Sequence, residues 1–498
     1  MSKKIVKRSL YVIGALIIIF AIIIDPIRGK QFTLGWIQIC MLLVGIDVIL
    51  MGFLWKKGNP RVIFFLVFFS MMIVFGILKY QIYTLDTYKV WTDTESYIKT
   101  SLVPMNQSGF WMGERPFVLP LFYKLFGLDL VNYWDRNFAV IVLAAQSIIS
   151  YLVWSFFAYS ISKQFTNTYV KMASIVVVFS LGLGLHNSMW DKLMLSESLS
   201  NSFLILIVSI LLLLFSNKEK SKSWQFVLGS VFLVINIALY LFVRDSNATF
   251  VFLGGVVGAI WWLIDKQKGK RVTLVLSSLG ILLSILAIAL MNNSTRWWTP
   301  LQHAVYDRQS SVPSMQEFFK RNGVDLAAIT PYLRDPQVFG DEPVELADKD
   351  QVLRQVKTIY GKYLLSHPRY TLLYPLPAFK GIMTPLNTEY RYTQKPTPSW
   401  VTAITDFFYP KGNWIYPVGV LCLCLWFFLS GRKIAPALVI FLFLILSVFP
   451  LGLLIWHSDT MELDRHAQQF MIQSRIGFWS SILFLVDTII CRVRSTSK

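Results

Sequence analysis

Twelve apolar stretches, each about 15–25 residues long, restrict this chain more than any other feature of its sequence. A helix of that length, rising 1.5 Å per residue, crosses about 30 Å of hydrocarbon. The stretches cover residues 10–24, 33–54, 62–83, 137–161, 170–187, 193–215, 225–243, 246–264, 272–291, 414–430, 434–456 and 470–490. Inside lipid every backbone polar group needs a partner within its own segment, so each stretch is expected to be a helix. Of the 498 residues, 55% are hydrophobic and only 15% charged, against about 25% charged in a soluble chain. The expected fold class is an all-α polytopic membrane protein with about twelve transmembrane helices.

A formal charge of +19 in a soluble protein would point to nucleic acid or another acidic partner. Here the bases cluster in every second connection: "MSKKIVKRS", "KKGNPR", "SKQFTNTYVK", "SNKEKSKS", "DKQKGKR", "SGRK" and "CRVRSTSK". Glu219 and Asp265 are the only acids among them. This is the positive-inside pattern, so both termini are expected in the cytoplasm and no nucleic-acid partner is expected. A basic start followed by an apolar run resembles a signal peptide, but no small-x-small site follows "FAIIIDPIRGK", so the first span is read as uncleaved. Cys40, Cys422, Cys424 and Cys491 all fall in or beside spans, leaving the exported loops without disulfides.

The expected organisation is three helices over 1–83, an exported loop over 84–136, six helices over 137–291, a small exported domain over 292–413, and three helices over 414–498. All five histidines fall on the exported side, so chemistry is expected outside the cytoplasm. No phosphate-binding loop or dinucleotide fingerprint occurs. "KVWTDTESYI" places Asp93 and Glu95 where the chain leaves the third span. Extended, the two carboxylates would share a side; in a helix they diverge, and Glu95 would suit a helix N-terminus. A solvated acidic turn is the plain alternative. The run from Phe117 to Phe126 is too short to span, so surface helices are expected in this loop.

Further polar residues gather at the same face. Glu197 lies one turn inside the sixth span, with Ser200 and Asn201 on its helical face. It either faces a cavity or ties helices together. Arg244 ends the seventh span, where it can grip a phosphate bidentately or pair with Asp245 or a lipid headgroup. "WHSDTMELDRHAQQ" holds His457, Glu462, Arg465 and His466, with no zinc-type spacing. Arg465 is a further anion contact or snorkels to the interface.

"WTDTESYI" followed by "GERPFVLPLFYKLFG" resembles the GT-C class of membrane glycosyltransferases, which use polyprenyl-phosphate sugars. "LSESLSNSF", "RDSN" and "ELDRHAQQ" are similar to stretches in bacterial members of that superfamily. The resemblance implies a plasma-membrane enzyme, bacterial, with its active site on the extracytoplasmic face. A sugar would pass from a polyprenyl-phosphate donor to an envelope glycan, polymer or lipid. Asp93 matches the catalytic acid, with Glu95 as the alternate, and Arg115 lies in the segment that follows. Arg115, Arg244 and Arg465 are then candidates for the donor phosphate. Glu197, Asn201, His186, His457, Glu462 and His466 are candidates to line the acceptor cavity. Membrane lipids are the other expected partners. No cofactor or metal ligand is assigned, and a divalent cation stays open. The acidic loop here follows the third span rather than the first, and the exported domain precedes the last three spans.

Three other functions fit parts of the pattern. A transporter or flippase of a lipid-linked glycan would use Asp47, midway along the second span. An acyl- or phosphotransferase would use His186 with Asp191, and an envelope assembly protein would need no carboxylate at all.

Overall fold

The structure is a computed structural model. It describes residues 9–19, 21, 36–54, 60–84, 92–129, 132, 136–216, 223–264, 271–309, 312–333, 349–383, 398–431, 434–458 and 463–496. Helices account for the fold, and no strand occurs among the described residues.

In chain order the helices are α1 (Ser9–Ile19), α2 (Trp36–Leu54), α3 (Pro60–Thr84), α4 (Thr92–Leu102), α5 (Ser108–Met112) and α6 (Val118–Leu125). Then come α7 (Arg136–Ser162), α8 (Thr168–Leu183), α9 (Leu185–Ser188), α10 (Ser196–Ser216), α11 (Ser223–Val243), α12 (Asn247–Ile264) and α13 (Arg271–Asn292). A polar stretch carries α14 (Trp298–Gln309), α15 (Pro313–Arg321), α16 (Leu326–Leu333), α17 (Lys349–Ser366), α18 (Pro368–Leu373), α19 (Leu376–Met383) and α20 (Ser399–Phe408). The chain closes with α21 (Ile415–Leu429), α22 (Pro436–Leu446), α23 (Val448–Ser458) and α24 (Leu463–Thr496).

Eight described helices are long and apolar enough to cross a membrane, within α3, α7, α10, α11, α12, α13, α22 with α23, and α24. Their outward faces are apolar, as Ile148, Val231, Ile235 and Leu282 are each more than half exposed. A helix apolar on all sides is stable only in lipid or in a protein interior. The stretch read as one span over 170–187 is α8 followed by a second short helical segment, Leu185–Lys192, bent by 53°, and the two together are long and apolar enough to cross.

Gly184 stands at that bend, and the ring of Tyr409 lies against it. A Cβ there would come within 2.4 Å of the Tyr409 Cε2 atom. Tyr409 is fully buried and donates its hydroxyl to the Leu181 carbonyl at 2.8 Å. Gly184→Val is therefore expected to lower stability by about 1–3 kcal/mol, the range for overpacking. Thermal unfolding in detergent checks this, and the cost of Gly184→Val should be smaller in a Tyr409→Ala background than in the wild type.

Along α24 the polar contacts measure depth. At one end Asp487 accepts from the backbone N–H groups of Thr166 (3.1 Å) and Asn167 (2.8 Å), just ahead of α8. At the other end Arg465 reaches Asp93. Their separation of twenty-two positions spans about 33 Å, close to the hydrocarbon thickness. Arg475 sits between the two and is fully buried, with Nη2 donating to the Pro410 carbonyl at 2.9 Å. Trp479 Nε1 likewise donates to the Phe408 carbonyl at 2.9 Å. The end of α20 thus enters the bundle to about half its depth. Helices α14–α17 share an apolar cluster of their own around Val305, Phe319, Val356 and Tyr363. Val401 and Tyr409, by contrast, belong to the bundle core, so the sequence boundary at 413 does not separate α20 from the spans.

Candidate functional site

Asp93 stands in the first turn of α4, where an acid is favoured by the unpaired N–H groups of the helix end. Two contacts carry this turn to the mouth of the bundle. Thr94 Oγ1 donates to the Met194 carbonyl at 3.0 Å, and Tyr97 Oη meets Ser196 Oγ at 3.2 Å. Both partners lie at or just before the start of α10, which places Glu197 beside Asp93. An apolar cluster containing Ile98, Leu119, Trp190 and Leu199 seals the junction beneath them.

The charged side chains then form one continuous chain. Arg115 Nη2 donates to Asp93 Oδ1 at 2.6 Å, and its Nε donates to Ser96 Oγ at 2.6 Å. Arg465 bridges both acids, from Nη1 to Asp93 Oδ2 at 2.9 Å and from Nε to Glu197 Oε1 at 2.7 Å. Arg244 Nη2 lies 3.8 Å from the same Glu197 oxygen and 2.5 Å from His466 Nδ1. A guanidinium only donates, so His466 Nδ1 is the acceptor in this contact. Three guanidiniums thus meet two carboxylates, an excess of one positive charge.

Exposure is graded along this chain. The Glu197 and Arg465 side chains are 3% and 6% exposed, while those of Asp93 and Arg115 are 27% and 30% exposed. The Asp93–Arg115 pair is the open end. Burial alone would raise the Asp93 carboxyl, but Arg115 and Arg465 outweigh it and hold the group below its ordinary value. These contacts therefore stabilise the fold fully above the unfolded Asp range, about pH 4, and less as the pH falls through the lowered value.

Unused acceptor capacity lies deeper. Glu197 Oε2 and Asn201 Oδ1 are buried on the same face of α10 and have no hydrogen-bond partner among the described residues. Ser200 Oγ donates to Gln469 Oε1 at 2.8 Å and accepts from Asn247 at 2.9 Å, fixing the next turn.

No family model, curated protein or solved structure matches the chain. The site rests on its own geometry.

That geometry divides the residues expected from the sequence. Asp93, Arg115, Arg244, Arg465, Glu197 and His466 come together, with Asn201 close by on α10. Glu95 does not join them: it points to the exposed side of α4 and pairs with Lys99 at 2.7 Å, because positions two apart on a helix diverge. His186 is buried among the spans, with Nδ1 2.9 Å from Gln468 Oε1 and its ring against Tyr409. His457 sits among Trp456 and Tyr370, its Nε2 donating to the Thr371 carbonyl at 2.9 Å. Glu462 and the Asp47 side chain lie outside the described residues. Among the described residues no three of His, Cys, Asp and Glu converge as a set of metal ligands.

Sequence reading missed two partners. Asp191, expected beside His186, pairs instead with Lys79 at 2.8 Å, both buried, and accepts from Ser198. Arg296 holds three groups at once: the Trp111 carbonyl (2.9 Å), the Gly113 carbonyl (2.8 Å) and Asp245 (3.0 Å). It thereby ties the end of α5, two residues before Arg115, to the turn that carries Arg244. Burial raises the Asp245 carboxyl above its ordinary value, and Arg296 offsets part of that. A lone arginine in "NNSTRWW" gives no sequence signal of this, since its three partners lie 51 to 185 residues away.

Proposed function

We propose that this chain is a GT-C-like membrane glycosyltransferase, moving a sugar from a polyprenyl-phosphate donor to an extracytoplasmic glycan, polymer or lipid. The observation that supports it is the Arg115–Asp93–Arg465–Glu197–Arg244 chain at the mouth of the bundle, with its excess positive charge and its open end at Asp93. On this reading twelve spans cross a bacterial plasma membrane, both termini are cytoplasmic, and the Asp93 end faces outward.

In the reaction the donor phosphate engages Arg115 and draws it off Asp93 Oδ1. With one counter-ion withdrawn, the carboxylate becomes a better proton acceptor. Asp93 then takes the proton of the acceptor hydroxyl as general base. The acceptor oxygen bonds to the anomeric carbon while the bond from that carbon to the phosphate oxygen breaks. The electron pair leaves with the polyprenyl phosphate, and Arg115, Arg244 and Arg465 stabilise the added charge. Glu197 Oε2 and Asn201 Oδ1 accept from hydroxyls of the bound sugar, which lie near the bilayer surface because the donor's phosphate does.

Arg296 supports this arrangement by placement. Arg296→Gln is expected to lower transfer about 100-fold, the scale on which a displacement of about 1 Å acts. Arg296→Lys should recover little of this, since an ammonium cannot match a planar fork that serves three acceptors. Single-turnover rates in purified, folded variants check both.

The test of the reading is mass spectrometry of envelope glycans and polyprenyl-phosphate sugars in wild-type and deletion strains. Loss of one glycan decoration with accumulation of its sugar–lipid donor supports transfer. Accumulation of a completed lipid-linked glycan instead, with every sugar in place, would sink it in favour of transport.

A further inference from the structure

Helices α18 and α19 present an apolar face that no described part of the chain covers. Leu365, at the end of α17, is 87% exposed, and Leu372, Leu373, Tyr374 and Leu376 are 46–53% exposed. Single exposed leucines are ordinary on any protein, whereas five large apolar side chains within twelve residues form a patch. The neighbouring face is anchored to the bundle. The Tyr374 ring packs on Trp456, with centroids 5.7 Å apart, and Phe379 is buried against Phe449 and Gly452.

Those anchors set the depth of the patch. Phe449 and Trp456 lie in the apolar crossing Pro436–Ser458, thirteen and twenty residues from Pro436. These distances correspond to about 20 and 30 Å along the axis. The exposed residues therefore stand where the hydrocarbon of a bilayer ends and the headgroups begin.

Charge identifies what faces them. Lys362 and Arg369 are exposed beside the leucines, and Arg369 shares the α18 face with Leu372 and Leu373 at i+3 and i+4. Between Asp350 and Glu389 the sequence has no acid and five bases, Arg354, Lys357, Lys362, Arg369 and Lys380. A second copy of the chain would fit poorly, because a two-fold contact through this patch would set the same cations against each other. We infer that residues 362–376 dock onto the anionic headgroup layer of the bilayer, with the leucines in the acyl region and Lys362 and Arg369 on lipid phosphates. The inference is independent of the proposed reaction.

The experiment is hydrogen–deuterium exchange of the full chain in nanodiscs of phosphatidylcholine alone and of equal parts phosphatidylcholine and phosphatidylglycerol. Exchange over 362–376 should be about thirtyfold slower in the anionic discs, as two cations near a charged surface imply. Lys362→Gln with Arg369→Gln should erase that difference. Leu372→Asn with Leu373→Asn should speed exchange in both lipids. All four positions are exposed, so the fold is expected to survive, and unchanged exchange in α10 checks that it does. Equal rates in the two lipids would overturn the anionic docking. Protection found only in discs holding two copies would overturn it in favour of a self-contact.

Discussion

Asp93→Asn is expected to lower sugar transfer by about 10²–10⁴-fold, the contribution of a positioned general base. The loss should fall on kcat and leave KM for the lipid donor unchanged or lower. An asparagine keeps one acceptor oxygen for a neighbouring guanidinium but loses the charge that competes with phosphate for Arg115. The side chain is 27% exposed at the open end of the network, so the variant should insert and fold. Steady-state kinetics on reconstituted protein, with thermal unfolding beside them, separate the base from a structural salt bridge. A fully active, folded Asp93→Asn would remove Asp93 as the base. A variant that loses donor binding with kcat intact would make it an organiser of Arg115 instead.

The second large effect is on stability. Glu197 is buried, and its removal leaves Arg465 and Arg244 without their shared counter-ion. Glu197→Ala is expected to destabilise the protein by about 3–5 kcal/mol, because removing one partner of a buried pair strands a charge away from water. The double variant with Arg244→Met should be more stable than the single one, since Arg465 keeps Asp93 and the stranded charge is that of Arg244. Denaturation midpoints of the three proteins in one detergent decide the matter. If the double variant is no more stable than Glu197→Ala, the network is not held together by charge pairing.

How much of this was legible beforehand depends on the range over which each feature acts. Apolar run length is local, and the helices within α3, α7, α10–α13, α22–α23 and α24 lie where the runs lie. Asp93 and Glu95 show the same local logic: once Thr92–Leu102 is helical, a spacing of two sends one inward and the other to Lys99. The need for glycine at 184 was not legible, because the ring that excludes a Cβ there, Tyr409, lies 225 positions along the chain. Nor was the entry of α20 into the bundle. At ten residues it is too short to read as a span, and what holds it are the Leu181 carbonyl of α8, the Leu185 N–H of α9 and the Trp479 side chain of α24.

The sequence by itself determined that this chain is helical and apolar enough for lipid, since backbone hydrogen bonding in hydrocarbon admits no open alternative. It also gathered the acids and arginines near one end of the spans, because ionised groups avoid the bilayer interior. Only the tertiary structure decided which of them meet. Arg465 lies 372 positions from Asp93 and 268 from Glu197, and neither spacing nor periodicity carries information over such separations. Packing of α4 onto the start of α10, and of α24 alongside both, brings those charges within hydrogen-bond reach. The same packing turns His186 and His457 toward other partners.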